Sequence, residues 1–279
     1  MLSGVHLLLT YRCTHECEHC FVFSSPRARG TFTLAGVVDV LDQARAVGSV
    51  EWIYFEGGEP FLYYPLLLAG LEAAADRGFR TGVVTNAFWA EHDAELWLRP
   101  LAERGVADLA VSDDAFHETP GGNAVEAARR LGIPVGTISI PQPAEGDGVQ
   151  YRGRAADKLT ADRPLEASAR FTECPHEDLR DPGRVHVDAF GNVHLCQGLL
   201  LGNCFQAPLS LLLERYDPET HPVVGPILRR GPAGLADETG IEAGNAFVDA
   251  CHLCYRVRER LAERFPGLLG PEGVYGKEE

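Results

Sequence analysis

VHLLLTYRCTHECEHC, residues 5–20, sets the frame for the chain. Val5 to Thr10 is a compact apolar run of strand length, and Cys13, Cys17 and Cys20 follow on the loop it feeds. Beyond that loop Thr33 is a candidate N-cap, and Leu34, Val37, Val38 and Leu41 recur at i, i+3, i+4 and i+7, which predicts a helix. Strand, loop and helix then repeat. Glu51 to Phe55 precedes a helix near Pro65 to Arg77, Arg80 to Thr85 precedes one near Asp93 to Arg104, and Val106 to Ser112 precedes one over Ala124 to Leu131. Ile133 to Ile140 supplies a fifth strand. Consecutive βα units give an α/β fold with a parallel sheet or barrel, whose chemistry sits at the C-terminal ends of the strands.

The 279 residues suit either two average domains or one α/β barrel, and 45% hydrophobic with 23% charged residues is a soluble globular balance. Twenty-five Lys plus Arg against 40 Asp plus Glu leave a formal charge of -15, which argues against a nucleic-acid partner and against an acidic membrane surface. No apolar run has the length of a membrane span, and the start MLSGVHLLLTYRC has neither a basic leader nor a small-residue cleavage site. The expectation is therefore a cytoplasmic protein with no membrane partner. In that compartment eight cysteines point to metal rather than to disulfides.

Three thiolates on the C-x3-C-x2-C loop can wrap an iron-sulfur cubane and leave one iron without a protein ligand, open to a substrate. A structural zinc held by the same cysteines with His15 or His19 is the alternative. After the second strand stands Gly57-Gly58-Glu59-Pro60, whose glycines expose backbone groups and allow the chain close to a ligand. C-x3-C-x2-C after the first strand together with this GGEP resembles the radical S-adenosylmethionine (SAM) superfamily. The resemblance implies a partial (β/α)6 TIM-like barrel, a catalytic [4Fe-4S] cluster on Cys13, Cys17 and Cys20, and contact of Gly57, Gly58, Glu59 and Pro60 with the methionine end of SAM. It also implies cofactor contacts from Asn86 after the third strand, Ser112 after the fourth, and Arg154 of the Arg152-Gly-Arg154 segment after the fifth. Position 19, usually aromatic in the family, is His19 here.

From Pro141 to Pro182 the periodicity fails, and PQPAEGDG at 141–148 is a turn-rich connector. The expected division is a barrel core over 1–160, a cysteine-rich module over 161–265 and a Gly-rich C-terminal tail over 266–279. RVHVDAFGNVHLC, residues 184–196, predicts a β-hairpin turning at Phe190-Gly191-Asn192. Cys174, Cys196, Cys251 and Cys254 supply four soft ligands, the set of a closed cluster or of a four-cysteine zinc. Gly191 and Cys196 as G-x4-C resemble the auxiliary-cluster extension called SPASM. No cysteine follows Cys254, so the resemblance is to the shorter twitch form with one auxiliary [4Fe-4S] cluster. Cys204 is left over, and His186 and His194 alternate along the hairpin without an assigned role.

The resemblance implies reductive cleavage of SAM to a 5′-deoxyadenosyl radical that takes hydrogen from a substrate, with a flavodoxin or ferredoxin as electron donor. Oxidative modification of a small metabolite or of a ribosomal peptide follows as the expected activity. A non-enzymatic iron-sulfur or zinc-binding protein is the competing reading.

Overall fold

The computed structural model describes residues 1–117, 121–141, 148–244 and 246–277. Strands and helices alternate through the first half: β1 (Gly4–Thr10), α1 (Leu34–Val47), β2 (Trp52–Gly57), α2 (Tyr64–Asp76), β3 (Arg80–Thr85), α3 (Ala94–Glu103), β4 (Asp108–Ser112), α4 (Gly122–Arg130) and β5 (Val135–Ile138). The second half carries α5 (Arg154–Lys158), β6 (Arg184–Asp188), β7 (Asn192–Cys196), β8 (Leu199–Asn203), α6 (Leu209–Arg215), α7 (Val224–Thr239) and α8 (Ala250–Leu261). The helix ends follow local chemistry. Thr33 Oγ1 accepts from Gly36 N–H to start α1, and Gly48, left-handed at φ 80°, ends it.

All eight strands form one sheet in the order β5-β4-β3-β2-β1-β6-β7-β8, parallel from β1 to β6 and antiparallel at β7 and β8. Strand alternation divides its two faces. Val5, Leu7, Ile53, Phe55, Val83 and Leu109 turn outward and pack on Val37, Leu41, Leu67, Leu71 and Leu98 of the helices, forming the main core. The opposite face carries His6, Tyr54, Glu56 and Ser112, and it lines the concave side of the sheet. No helix among the described residues is long and apolar enough to cross a membrane.

Three expectations are corrected or extended. The sixth parallel strand does not follow β5 around a barrel; β6 pairs with β1, Gly4 opposite Arg184 and His6 opposite His186. Between β5 and β6 the described chain offers only the five-residue α5 as α-helix, so no βα crossover of normal size carries the strand past β5. The C-terminal segment expected as a tail is packed: Val274 and Tyr275 are buried, and Tyr275 OH donates to the Gly198 carbonyl at 2.8 Å. Strand β8 and helices α6 to α8 extend what the periodicity predicted. Of the connector at 141–148, residues 142–147 lie outside the described residues.

Gly82 on β3 faces Tyr54 across the β2–β3 ladder, and a Cβ there would lie 2.2 Å from the tyrosine ring. The ring fills the space a side chain would need. Gly82→Ala should therefore destabilise the fold by about 1–3 kcal/mol through overpacking. Equilibrium unfolding by denaturant checks this, and an unchanged midpoint would contradict it.

Candidate functional site

The cysteine loop leaves β1 and is held at the sheet's C-terminal end by backbone bonds. Gly58 N–H donates to the Thr10 carbonyl at 2.6 Å, Glu59 N–H to Arg12 at 2.9 Å and Cys13 N–H to Ser25 at 3.0 Å. A Cβ on Gly58 would sit 2.1 Å from the Arg12 carbonyl oxygen, and one on Gly57, at φ +127°, would sit 2.5 Å from that of Thr10. Only glycine fits either place. The loop closes over a cavity of about 210 Å³ into which Cys13, Cys17 and Cys20 face, with Gly57, Gly58, Asn86 and Ser112 on its walls.

Not every expected residue reaches that cavity. Arg154 stands behind the loop: its guanidinium donates to the carbonyls of Cys17 and Ser24, both at 2.8 Å, and its backbone N–H to that of Cys20 at 2.8 Å. It holds the loop's shape. Glu59 is fully buried and turns away, accepting from Asn86 N–H at 2.7 Å, Thr85 Oγ1 at 2.9 Å and Phe61 N–H at 3.0 Å, while Pro60 opens the short turn before α2. Burial pushes the Glu59 carboxyl up to about 7 against those three hydrogen bonds. His117 and Glu56, which the sequence left unassigned, also line the cavity. His117 is fixed by Asp114 at 2.7 Å.

Hydrogen-bond donors reach two of the three sulfurs. His15 N–H and Asn86 Nδ2 reach Cys13 Sγ at 3.5 Å, and Ser24 N–H reaches Cys20 Sγ at 3.3 Å. Burial pushes the Cys13 thiol up to about 11 and the Cys17 thiol up to about 12. A bound cation inverts that preference, because a coordinating thiol is deprotonated outright. These donors then become charge-assisted bonds to thiolate.

Cys174, Cys196, Cys251 and Cys254 line a second, smaller cavity of about 30 Å³. Cys251 and Cys254 share one face of α8 at i and i+3, and Asp249 caps that helix by accepting from His252 N–H at 2.6 Å. Cys196 ends β7. Cys174 is seated by a break in α7: at Gly231, φ +61°, the Thr172–Glu173 backbone passes where a Cβ would lie 2.2 Å away. Two arginines, Arg258 buried and Arg152 largely so, face the same space. Arg152 Nη1 donates to Cys196 Sγ at 2.9 Å, and Arg258 Nη1 donates to the Gln197 carbonyl at 2.8 Å. Arg152 also lies over the ring of Phe21, 5.5 Å from its centroid, and Phe21 lines the first cavity. Cys204 joins neither group; it is buried in the main core. His194 is buried against Asp188 at 3.2 Å, an internal pair, whereas His186 faces Glu56.

Residues 7–143 match the family model described as the Radical SAM superfamily. Those residues, just under half of the chain, form a radical SAM domain. The family implies a [4Fe-4S] cluster and SAM. Among curated proteins the chain is similar to the S-adenosylmethionine-dependent nucleotide dehydratase of Selenomonas ruminantium, 32% identical over 86 residues that cover 31% of this chain and 30% of that protein. It is also similar to the tungsten-containing aldehyde ferredoxin oxidoreductase cofactor-modifying protein of Pyrococcus furiosus, 29% identical over 116 residues, 41% of this chain and 32% of that one. The matches thus span about a third of these relatives' own length. Among solved structures, BtrN in complex with AdoMet and 2-DOIA superposes with a TM-score of 0.55 at 17% identity, covering 83% of this chain and 88% of BtrN. At that identity the likeness is one of fold, and it runs beyond the 7–143 stretch of the radical SAM domain.

The Glu59 carboxylate clamps the loop after β3. Glu59→Gln puts an amide where the carboxylate accepts from Asn86 N–H, Thr85 and Phe61 N–H, so at least one buried donor loses its partner. The expected cost is about 1–3 kcal/mol, read by denaturant unfolding. Wild-type stability would show that the carboxylate does not clamp the loop after β3.

Proposed function

We propose that this chain is a radical SAM enzyme in which Cys13, Cys17 and Cys20 hold the catalytic [4Fe-4S] cluster and Cys174, Cys196, Cys251 and Cys254 hold one auxiliary [4Fe-4S] cluster in a SPASM or twitch-like module. The observation that carries this is the sorting of seven of the eight cysteines into two cavities, three in one and four in the other. Three ligands leave an iron open for SAM; four close the centre to substrate and fit it for electron transfer. The sulfur spacing favours clusters over single zinc ions. Among the described residues no three cysteine sulfurs lie within 4.8 Å of one another, whereas tetrahedral zinc at ~2.3 Å from each sulfur needs them about 3.8 Å apart.

When bound, the open cluster supplies the electron that cleaves SAM to methionine and a 5′-deoxyadenosyl radical. The chain's own residues orient and enclose. Gly57 and Gly58 offer backbone without side chains at the cavity wall, Asn86 and Ser112 offer polar groups beside it, and Arg154 keeps the cysteine loop in place. Arg152, between Phe21 and Cys196, keeps a cation on the short path between the two cysteine groups. An auxiliary acceptor linked to the first cavity through these contacts suits oxidation of the substrate rather than return of the hydrogen atom. The activity we assign is therefore oxidative modification of a small metabolite or a ribosomal peptide in the cytoplasm, driven by a flavodoxin or ferredoxin. Residues 1–160 would form the barrel core and 161–265 the auxiliary module.

Anaerobic reconstitution with iron and sulfide, followed by electron paramagnetic resonance of the reduced protein with and without SAM, tests the assignment. About eight irons per chain are expected, with one of two signals altered by SAM. Cys17→Ala should leave about four irons and abolish SAM cleavage, and Cys251→Ala should leave about four irons and retain cleavage while losing substrate oxidation. Wild-type cleavage by Cys17→Ala, or zinc in place of iron with no response to SAM, would overturn it.

A further inference from the structure

On the concave face of the sheet, three side chains from three adjacent strands converge: His6 of β1, Glu56 of β2 and His186 of β6. Each presents a ligand atom within 4.8 Å of the others. Glu56 Oε2 lies 3.3 Å from His6 Nδ1, Glu56 Oε1 lies 3.0 Å from His186 Nε2, and the imidazole centroids are 4.8 Å apart, tilted by 57°. These approaches lack hydrogen-bond alignment. His6 Nδ1, Glu56 Oε1 and His186 Nδ1 are all buried without a hydrogen-bond partner, on side chains only 14–17% exposed. A buried carboxylate that meets two imidazoles only as close but poorly aligned ion pairs keeps lone pairs unsatisfied, which costs free energy unless a further group takes them.

We propose that His6, Glu56 and His186 bind one divalent transition-metal ion, separate from both cysteine groups. Two imidazoles and a carboxylate are the donor set that zinc, iron(II) and manganese(II) share, and three protein ligands leave coordination positions open. The surroundings brace the ligands as such a site requires. Tyr54 stacks on the His6 ring at 4.6 Å and 17°, its hydroxyl donates to Asp108 Oδ2 at 3.0 Å, and Gly82 makes room for its ring. The open positions have a direction. Glu56 is also a wall residue of the cavity that holds Cys13, Cys17 and Cys20, so an ion on its carboxylate faces the same space. The ligand class this fits is an oxygen donor, a hydroxyl or carboxylate of the molecule in that cavity, held by a Lewis acid at the end of β2.

The probe is Zn²⁺ alone, added in slight excess to anaerobically iron- and sulfide-reconstituted protein, followed by gel filtration, metal analysis and zinc K-edge absorption. The expected result is about one retained zinc per chain in a shell of nitrogen and oxygen with imidazole scattering and no sulfur. His186→Ala and Glu56→Gln should each retain at most about a tenth of that zinc, with iron content unchanged. Absence of a nitrogen and oxygen shell in the wild-type protein overturns the proposal whatever the iron content, as does undiminished retention by both variants. If the variants fail to fold, the wild-type spectrum decides by itself. Iron content reports on the cysteine assignment separately, so either reading can fail without the other.

Discussion

The site depends on one close approach, that of Gly57 and Gly58 to the carbonyls of Thr10, Tyr11 and Arg12. With no Cβ at 2.1 Å from Arg12 O, the C-terminal ends of β1 and β2 cross at backbone contact, and the Gly58 and Glu59 N–H groups bind the start of the cysteine loop. Everything beyond is positioned from there. The same short segment then sends Glu59 into the interior, where its three hydrogen bonds tie β2 to the end of β3 and to Asn86 on the cavity wall. A side chain at position 58 would have to push the two strands apart, and the cysteine loop with them.

The sheet sorts its chemistry by strand alternation. Outward residues make an apolar core with the helices, which fixes register, because a one-residue slip would exchange the faces. Fixed register is what lets His6, Glu56 and His186 meet although 50 residues separate the first two and 130 the last two. The position of β6 matters equally. By pairing with β1 it covers what would otherwise be a bare edge of the parallel strands, and it leads the hairpin directly to Cys196.

What the sequence disclosed follows from how local each signal is. The βα alternation and the Cys13, Cys17, Cys20 loop are contiguous, so period, caps and spacing carried them. The second cysteine group was legible because thiols are few and two share a helix turn. Arg154 was placed at the cofactor, yet its guanidinium is spent on Cys17 and Ser24 carbonyls 137 and 130 residues away, a contact no local pattern encodes. His6 lay inside an apolar run and His186 on a hairpin strand; only the β1–β6 register joins them. The C-terminal segment has the glycines of a tail, but Tyr275 docks over Gly198, where a Cβ would lie 2.8 Å from its hydroxyl oxygen. That complementarity spans two distant glycine-containing turns and has no periodic signature.

Charge gives the two cysteine groups a further property in common. The protein is acidic overall, yet Arg152, Arg154 and Arg258 are withdrawn from solvent beside the cysteines. Burying a guanidinium is costly unless an anion meets it, and Arg152 has Glu177 only at 3.7 Å, while the Nε atoms of Arg152 and Arg258 have no hydrogen-bond partner. Burial also holds the Cys254 thiol up at about 11 and raises that of Cys251, so as thiols these residues offer the arginines no charge. As metal-bound thiolates they do. On the proposed assignment, ligand deprotonation and relief of the buried cations would be one event, and the free energy of loading would become free energy of folding for the segments that carry Cys174, Cys196 and α8.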